Sequence, residues 1–200
     1  MTEGYVNDWQ LWIGVLKDQQ NVAGRLGQTL RKWQACRPNR MRRPACEANH
    51  DPPYLEDLIA QAHPFVQAIQ ALQGFDTRHL SSFTPKTEDA LHRLWCIFEG
   101  LSYHGRANNG QTGVVGISKA VMLLAEGRVG PAFDSTVRNN LGIRAPENPD
   151  EWIRALQFTT EDIRAFEVAN QCTLQAAAPL RFANFHSGRL YDMALGPGGT

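Results

Sequence analysis

Apolar residues recur three and four positions apart along nearly the whole chain, and no alternating apolar and polar run of useful length interrupts them. Such spacing lines side chains along one face of an α-helix, whereas a half-buried strand needs a period of two. An all-α fold follows, and the pattern predicts a compact bundle of about seven or eight helices. The 200 residues fit around one core, so residues 1–200 are expected to form a single domain with 196–200 as a frayed tail. Hydrophobic residues at 42% and charged residues at 20% give enough apolar surface to fold and too much for intrinsic disorder.

Individual helices can be placed from their faces and ends. A first helical region runs to about Trp33. In PYLEDLIAQAHPFVQAIQAL, residues Leu55, Ile59, Ala62, Val66 and Ile69 share a face, and Pro64 is expected to kink or divide the helix. KTEDALHRLWCIFEGL begins behind Thr84 and Pro85 and aligns Leu91, Leu94, Phe98 and Leu101. The loop HGRANNGQTG stops it, and the apolar VVGISKAVMLLAEG forms a buried helix. Asp134 and Thr160 are expected helix starts, since each offers a side-chain oxygen to unpaired backbone N–H groups. NPDEWIRALQF and TTEDIRAFEVANQ therefore read as two helices, followed by a last one within RFANFHSGRLYDMAL.

No stretch approaches the roughly 18 apolar residues that span a bilayer, and Glu3 and Asp8 stand where a signal peptide is basic. The expected location is intracellular, in the cytoplasm, without a membrane partner. Cys36, Cys46, Cys96 and Cys172 lack the paired spacing of a zinc site, even with His50 counted, and read as reduced thiols with no metal and no cofactor. Phosphate-binding GxxxxGK[ST], GxGxxG after a strand, HExxH and GxSxG are all absent, which removes support for nucleotide hydrolysis, zinc proteolysis and α/β-hydrolase chemistry.

Net charge is zero, yet RKWQACRPNRMRRP carries Arg31, Lys32, Arg37, Arg40, Arg42 and Arg43 without an acidic residue. That stretch attracts phosphate through counterion release, and Trp33 within it could stack on a base, which makes DNA the expected partner. Equally, it could be a solvated loop paired with the acidic residues Asp51, Glu56 and Asp57.

One stretch remains, GVVGISKAVMLLAEGRVGPAFDSTVRNNLG, and its Gly116, Lys119, Pro131, Asp134 and Val137 stand in a telling order. It resembles the lysine-bearing, oxidised-guanine branch of the helix-hairpin-helix DNA glycosylase superfamily. There a glycine-containing hairpin leads into a helix with a catalytic lysine, and an aspartate follows at the start of the next helix. The resemblance implies a base-excision enzyme, with Schiff-base lyase chemistry by Lys119 and Asp134 and with DNA docked on Gly116 and Ser118. The interval from Lys119 to Asp134 is shorter than in that family, and the chain lacks a cysteine cluster for an iron–sulfur centre.

The chemistry also has a rationale of its own. An amine attacks the sugar C1′ only when neutral, which an apolar setting such as VGISKAVMLL favours, and a carboxylate can stabilise the positive charge that develops as the base leaves. A flipped base needs a pocket, for which Tyr103 and Phe133, with Trp95 and Phe98 near them, are the candidates. Aromatic residues at helical spacing more often fill interiors, and Lys119 could equally lie along the surface while Asp134 only caps a helix. A non-catalytic nucleic-acid-binding or protein-interaction module is the alternative function.

Overall fold

The computed structural model describes residues 3–19, 21–35, 53–71, 83–101 and 112–196. Those residues are all-α, with nine α-helices, two short 3₁₀ turns and no strand among them. The helices are α1 (Glu3–Asp18), α2 (Val22–Lys32), α3 (Pro53–Ala71), α4 (Pro85–Phe98), α5 (Val114–Leu124), α6 (Ser135–Leu141), α7 (Pro149–Asn170), α8 (Leu174–Ala177) and α9 (Ser187–Leu195). The 3₁₀ turns are Glu99–Leu101 and Leu180–Phe182. None of the described helices is long and apolar enough to cross a membrane.

The first helical region is two helices. Gln19 and Asn21 between them hold left-handed φ angles of 51° and 50°, which an α-helix cannot continue through. α3 and α4 pack side by side, and α4 also lies against α5 and α7. Thr84 caps α4 by accepting the Thr87 N–H, with Pro85 in the first turn, and Leu91, Leu94, Phe98 and Leu101 are all buried as their spacing predicts. α3 runs unbroken through Pro64, and its fully buried stripe uses Leu58 where the sequence pointed to Ile59, which packs at the margin of the core.

The break expected at Thr160 does not occur. Residues Pro149–Asn170 form one helix capped by Asn148, whose side chain accepts the Glu151 N–H at 2.9 Å. Thr159 and Thr160 are buried and turn their hydroxyls back onto the Leu156 carbonyl, at 2.7 and 3.0 Å, so neither is available to start a helix.

α5 is the centre of the molecule. Ten of its eleven residues are buried, which suits a helix apolar on all sides, and Lys119 is its one charged residue. α1 is tied to its end by the Trp12 indole N–H, which donates to the Leu123 carbonyl at 2.7 Å. After α5 the chain turns through Gly127, at φ 78°, passes the cis Gly130–Pro131 peptide and enters α6. α9 settles on this turn with its Gly188 backbone directly against Gly130, so close that a Cβ on Gly188 would meet the Gly127 carbonyl oxygen and the Gly130 nitrogen at 2.7 Å.

Candidate functional site

Four charged side chains from α5, α9 and the head of α6 converge beside the 127–134 turn. The chain contains four lysines, and Lys17, Lys32 and Lys86 are exposed. Lys119 is buried because a central helix carries it, with its side chain only 10% exposed. Its Nζ donates to the Trp33 carbonyl at 2.9 Å, at the C-terminal end of α2, where the helix dipole and unpaired carbonyls favour a cation. Nζ also lies 3.7 Å from the Asp134 Oδ2, so residues fifteen apart in sequence (134 − 119) are brought together.

Asp134 is the N-cap of α6, as its sequence position predicts. One carboxylate oxygen accepts the Val137 N–H at 3.0 Å and the other faces Lys119. Its side chain is 19% exposed, which opens this side of the pair to solvent. Lys119 and Asp134 thus join the end of one helix to the start of another, and the arrangement corrects the reading in which Lys119 lies along the surface with its charge in water.

A second carboxylate completes the cluster. Asp192 of α9 is buried, receives the Ala132 N–H at 3.0 Å and pairs with Arg189 Nη1 at 2.5 Å. Burial raises its pKa above the ordinary carboxylate value, opposed by the charges of Arg189 and Lys119 and by the Ala132 N–H. The Arg189 guanidinium lies 5.0 Å from the ring centres of both Trp9 and Trp33, which stack on each other at 6.4 Å and 13°. Neither Asp192 nor Arg189 stood out in the sequence. The available signal was an acid and a base three residues apart in a helix whose intervening and flanking residues, Leu190, Tyr191 and Met193, are apolar.

Several residues expected at a nucleic-acid surface occupy other places. Gly116 lies inside α5, buried, and not in a hairpin loop. Ser118 is buried too; its hydroxyl donates to the Val114 carbonyl at 2.6 Å and accepts the Phe133 N–H at 3.1 Å. Phe133, expected to line a base pocket, is fully buried in the core, as are Phe98 and nearly all of Trp95, whose indole N–H donates to Glu99 at 2.7 Å. Trp33 is core as well, 2% exposed, because its ring is needed against Trp9 and Arg189 and so cannot stack on a base.

Arg31 closes the last turn of α2, and Lys32 beside it pairs with Asp8 of α1 at 2.5 Å. Arg37, Arg40, Arg42, Arg43 and Tyr103 lie outside the described residues, as do Cys36, Cys46 and His50. Of the expected tail, Gly196 is held by its N–H to the Asp192 carbonyl at 2.8 Å, and 197–200 lie outside the described residues. Among the described residues no three His, Cys, Asp or Glu side chains gather as metal ligands.

What this arrangement can do chemically follows from its parts. A buried primary amine stands 3.7 Å from a carboxylate that is partly open to solvent, an ion pair longer than a hydrogen bond, so direct proton exchange between them requires the two side chains to draw closer. No protein-family model, curated protein or solved structure matches the chain.

Proposed function

We propose that the protein is a helix-hairpin-helix glycosylase-like enzyme that excises damaged bases from duplex DNA, with Lys119 as Schiff-base nucleophile and Asp134 as its proton acceptor. The single observation that carries this reading is the 3.7 Å approach of the Lys119 amine to the Asp134 carboxylate in a largely apolar setting. In the reaction, Asp134 takes a proton from the Lys119 ammonium, and the freed amine bonds to C1′ as the bond from C1′ to the base breaks. The base leaves with the bonding electrons and takes up a proton. The secondary ammonium so formed gives up a proton, its lone pair forms the imine as the C1′–O4′ bond breaks, O4′ keeps the bonding electrons and takes up a proton to become a hydroxyl, and borohydride reduces the imine by adding hydride to its carbon. Lys119 must exchange its bond to the Trp33 carbonyl for the substrate, so the site is expected to rearrange at the end of α2 when DNA binds.

The test is borohydride trapping on duplex DNA carrying an abasic site or an oxidised guanine. A covalent adduct is expected with the unaltered protein and none with Lys119→Gln, while Asp134→Asn should slow trapping by about a hundredfold or more, the usual scale of a lost acid–base group. Equal adduct in Lys119→Gln would overturn the assignment.

A second reading is favoured by two contacts. The 2.9 Å bond from Lys119 to the Trp33 carbonyl, together with the cap made by Asp134, would serve a purely structural junction between α2 and α6. The protein would then be a helical module that binds nucleic acid or another protein without chemistry. That reading predicts no adduct from the unaltered chain, and steeply salt-dependent retention on DNA would separate a nucleic-acid module from a protein-interaction one.

A further inference from the structure

The Asp134 carboxylate can stand beside Lys119 only if the short segment leading into α6 is fixed, and two side chains fix it from opposite sides. Asp192, from α9, accepts the N–H of Ala132 at 3.0 Å, and Ser118, from α5, accepts the N–H of the next residue, Phe133, at 3.1 Å. Both acceptors are buried, and each is itself held. The Ser118 hydroxyl donates to the Val114 carbonyl within its own helix, and the Asp192 carboxylate is paired with Arg189. A bare pair of adjacent backbone N–H groups in the interior would be costly, so such partners constrain the chain strongly.

Geometry couples this arrangement to the reactive pair. Ser118 directly precedes Lys119 on α5, and Phe133 directly precedes Asp134, so one hydrogen bond ties the two residues next to the pair. Asp192 reaches Ala132 because Gly188 and Gly130 let α9 approach the turn backbone to backbone. Arg189 extends the link to Trp33, whose carbonyl receives the Lys119 amine.

We infer that Ser118 and Asp192 are positioning residues that clamp the Ala132–Phe133 backbone from two helices and so hold the Asp134 carboxylate at Lys119. Their catalytic meaning rests on the Schiff-base reading; the clamp itself does not. Neither residue touches the reacting atoms, and the segment between Pro131 and Asp134 is where a small displacement would separate proton acceptor from amine.

Two double variants isolate the clamp from the charges around it. Arg189→Gln with Asp192→Asn removes both charges but keeps an oxygen to accept the Ala132 N–H. Arg189→Met with Asp192→Leu removes the acceptor and both members of this ion pair together, so neither is left facing the other's absence, the kind of exchange that folded chains commonly tolerate. Ser118→Ala removes the other anchor with a small change in volume and supplies the answer should the apolar pair fail to fold.

Trapping on abasic duplex should be slowed about tenfold to a hundredfold in the Met/Leu variant and in Ser118→Ala, the scale of a misplaced catalytic group. The affinity for that duplex should stay within about twofold, because the clamp positions a catalytic group and makes no substrate contact. The Gln/Asn variant is expected to recover most of the rate. Equal rates in the Gln/Asn and Met/Leu variants, or a loss confined to DNA binding, would overturn the clamp. Amide hydrogen exchange of Ala132 and Phe133 reads the same clamp with no DNA present: it should quicken in the Met/Leu variant and in Ser118→Ala and not in Gln/Asn. Absence of any adduct from the unaltered protein would remove the lyase reaction, and the exchange rates would still decide whether the clamp exists.

Discussion

Asp134 does two things with two oxygens, capping α6 and facing Lys119, and the two roles can be separated by substitution. Asparagine is as good an N-cap as aspartate, whereas alanine forfeits the cap at about 1 kcal/mol. Urea unfolding should therefore show Asp134→Ala less stable than Asp134→Asn, while trapping is severely slowed in both. Tyr191 of α9 offers a second residue-scale test. Burial, reinforced by its hydrogen bond to Asp162 and that residue's charge, pushes the phenol far above its ordinary value of 10.0. With the folded pKa raised, this contribution to stability is complete below pH 10.0 and falls away as pH rises further, because only the unfolded chain ionises there. Chemical unfolding against pH should show that loss, and Tyr191→Phe should remove the part due to this residue. A Cβ on Gly188 would press on the 127–130 turn, so Gly188→Ala is expected to cost about 1–3 kcal/mol by overpacking, read as a lower unfolding midpoint.

Helix by helix, what the sequence made legible depended on whether a local signal agreed with the tertiary one. α4 was plain because Thr84, Pro85 and the spacing from Leu91 to Leu101 all point the same way. Thr160 misled because its type suits a cap, yet burial inside α7 turns its hydroxyl, like that of Thr159, onto Leu156. The start of that helix lies at Asn148, and Asn148→Ala should destabilise it by about 1 kcal/mol, visible in the same unfolding measurement. Lys119 and Asp134 could be picked out from residue type and order, since one stands alone in an apolar helix and the other precedes a helix. Asp192 and Arg189 were only half legible: their spacing of three marks an ion pair within an apolar helix, but nothing in α9 itself says that its backbone will meet the turn at Gly130. The tryptophans of the first two helices escaped for the same reason: Trp33 lies in a basic stretch, but its partners are Trp9 of α1 and Arg189 of α9.

At the scale of the whole molecule, α5 sets the design. It is buried on nearly every side, joins α2 and α4, and carries the single buried lysine of the four in the chain. Among the described residues the ionic cluster beside it sets Lys119 and Arg189 against Asp134 and Asp192, but burial makes it a weak source of stability: Asp192, its pKa raised by desolvation, favours the fold most when protonated and less as pH rises above its ordinary 3.8. Replacing Arg189 and Asp192 with methionine and leucine lifts that desolvation cost but strips the buried Ala132 N–H of its acceptor, so this variant is expected to unfold about 1–3 kcal/mol more easily than the glutamine and asparagine pair, which keeps an acceptor there.

The central claim is that Lys119, out of four lysines, is the nucleophile, and the most direct measurement is to locate the reduced adduct by proteolysis and mass spectrometry after borohydride trapping on abasic duplex. The account predicts the sugar remnant on the peptide containing Lys119 and on no other. A remnant on the chain's amino terminus or on Lys17, Lys32 or Lys86 would contradict it.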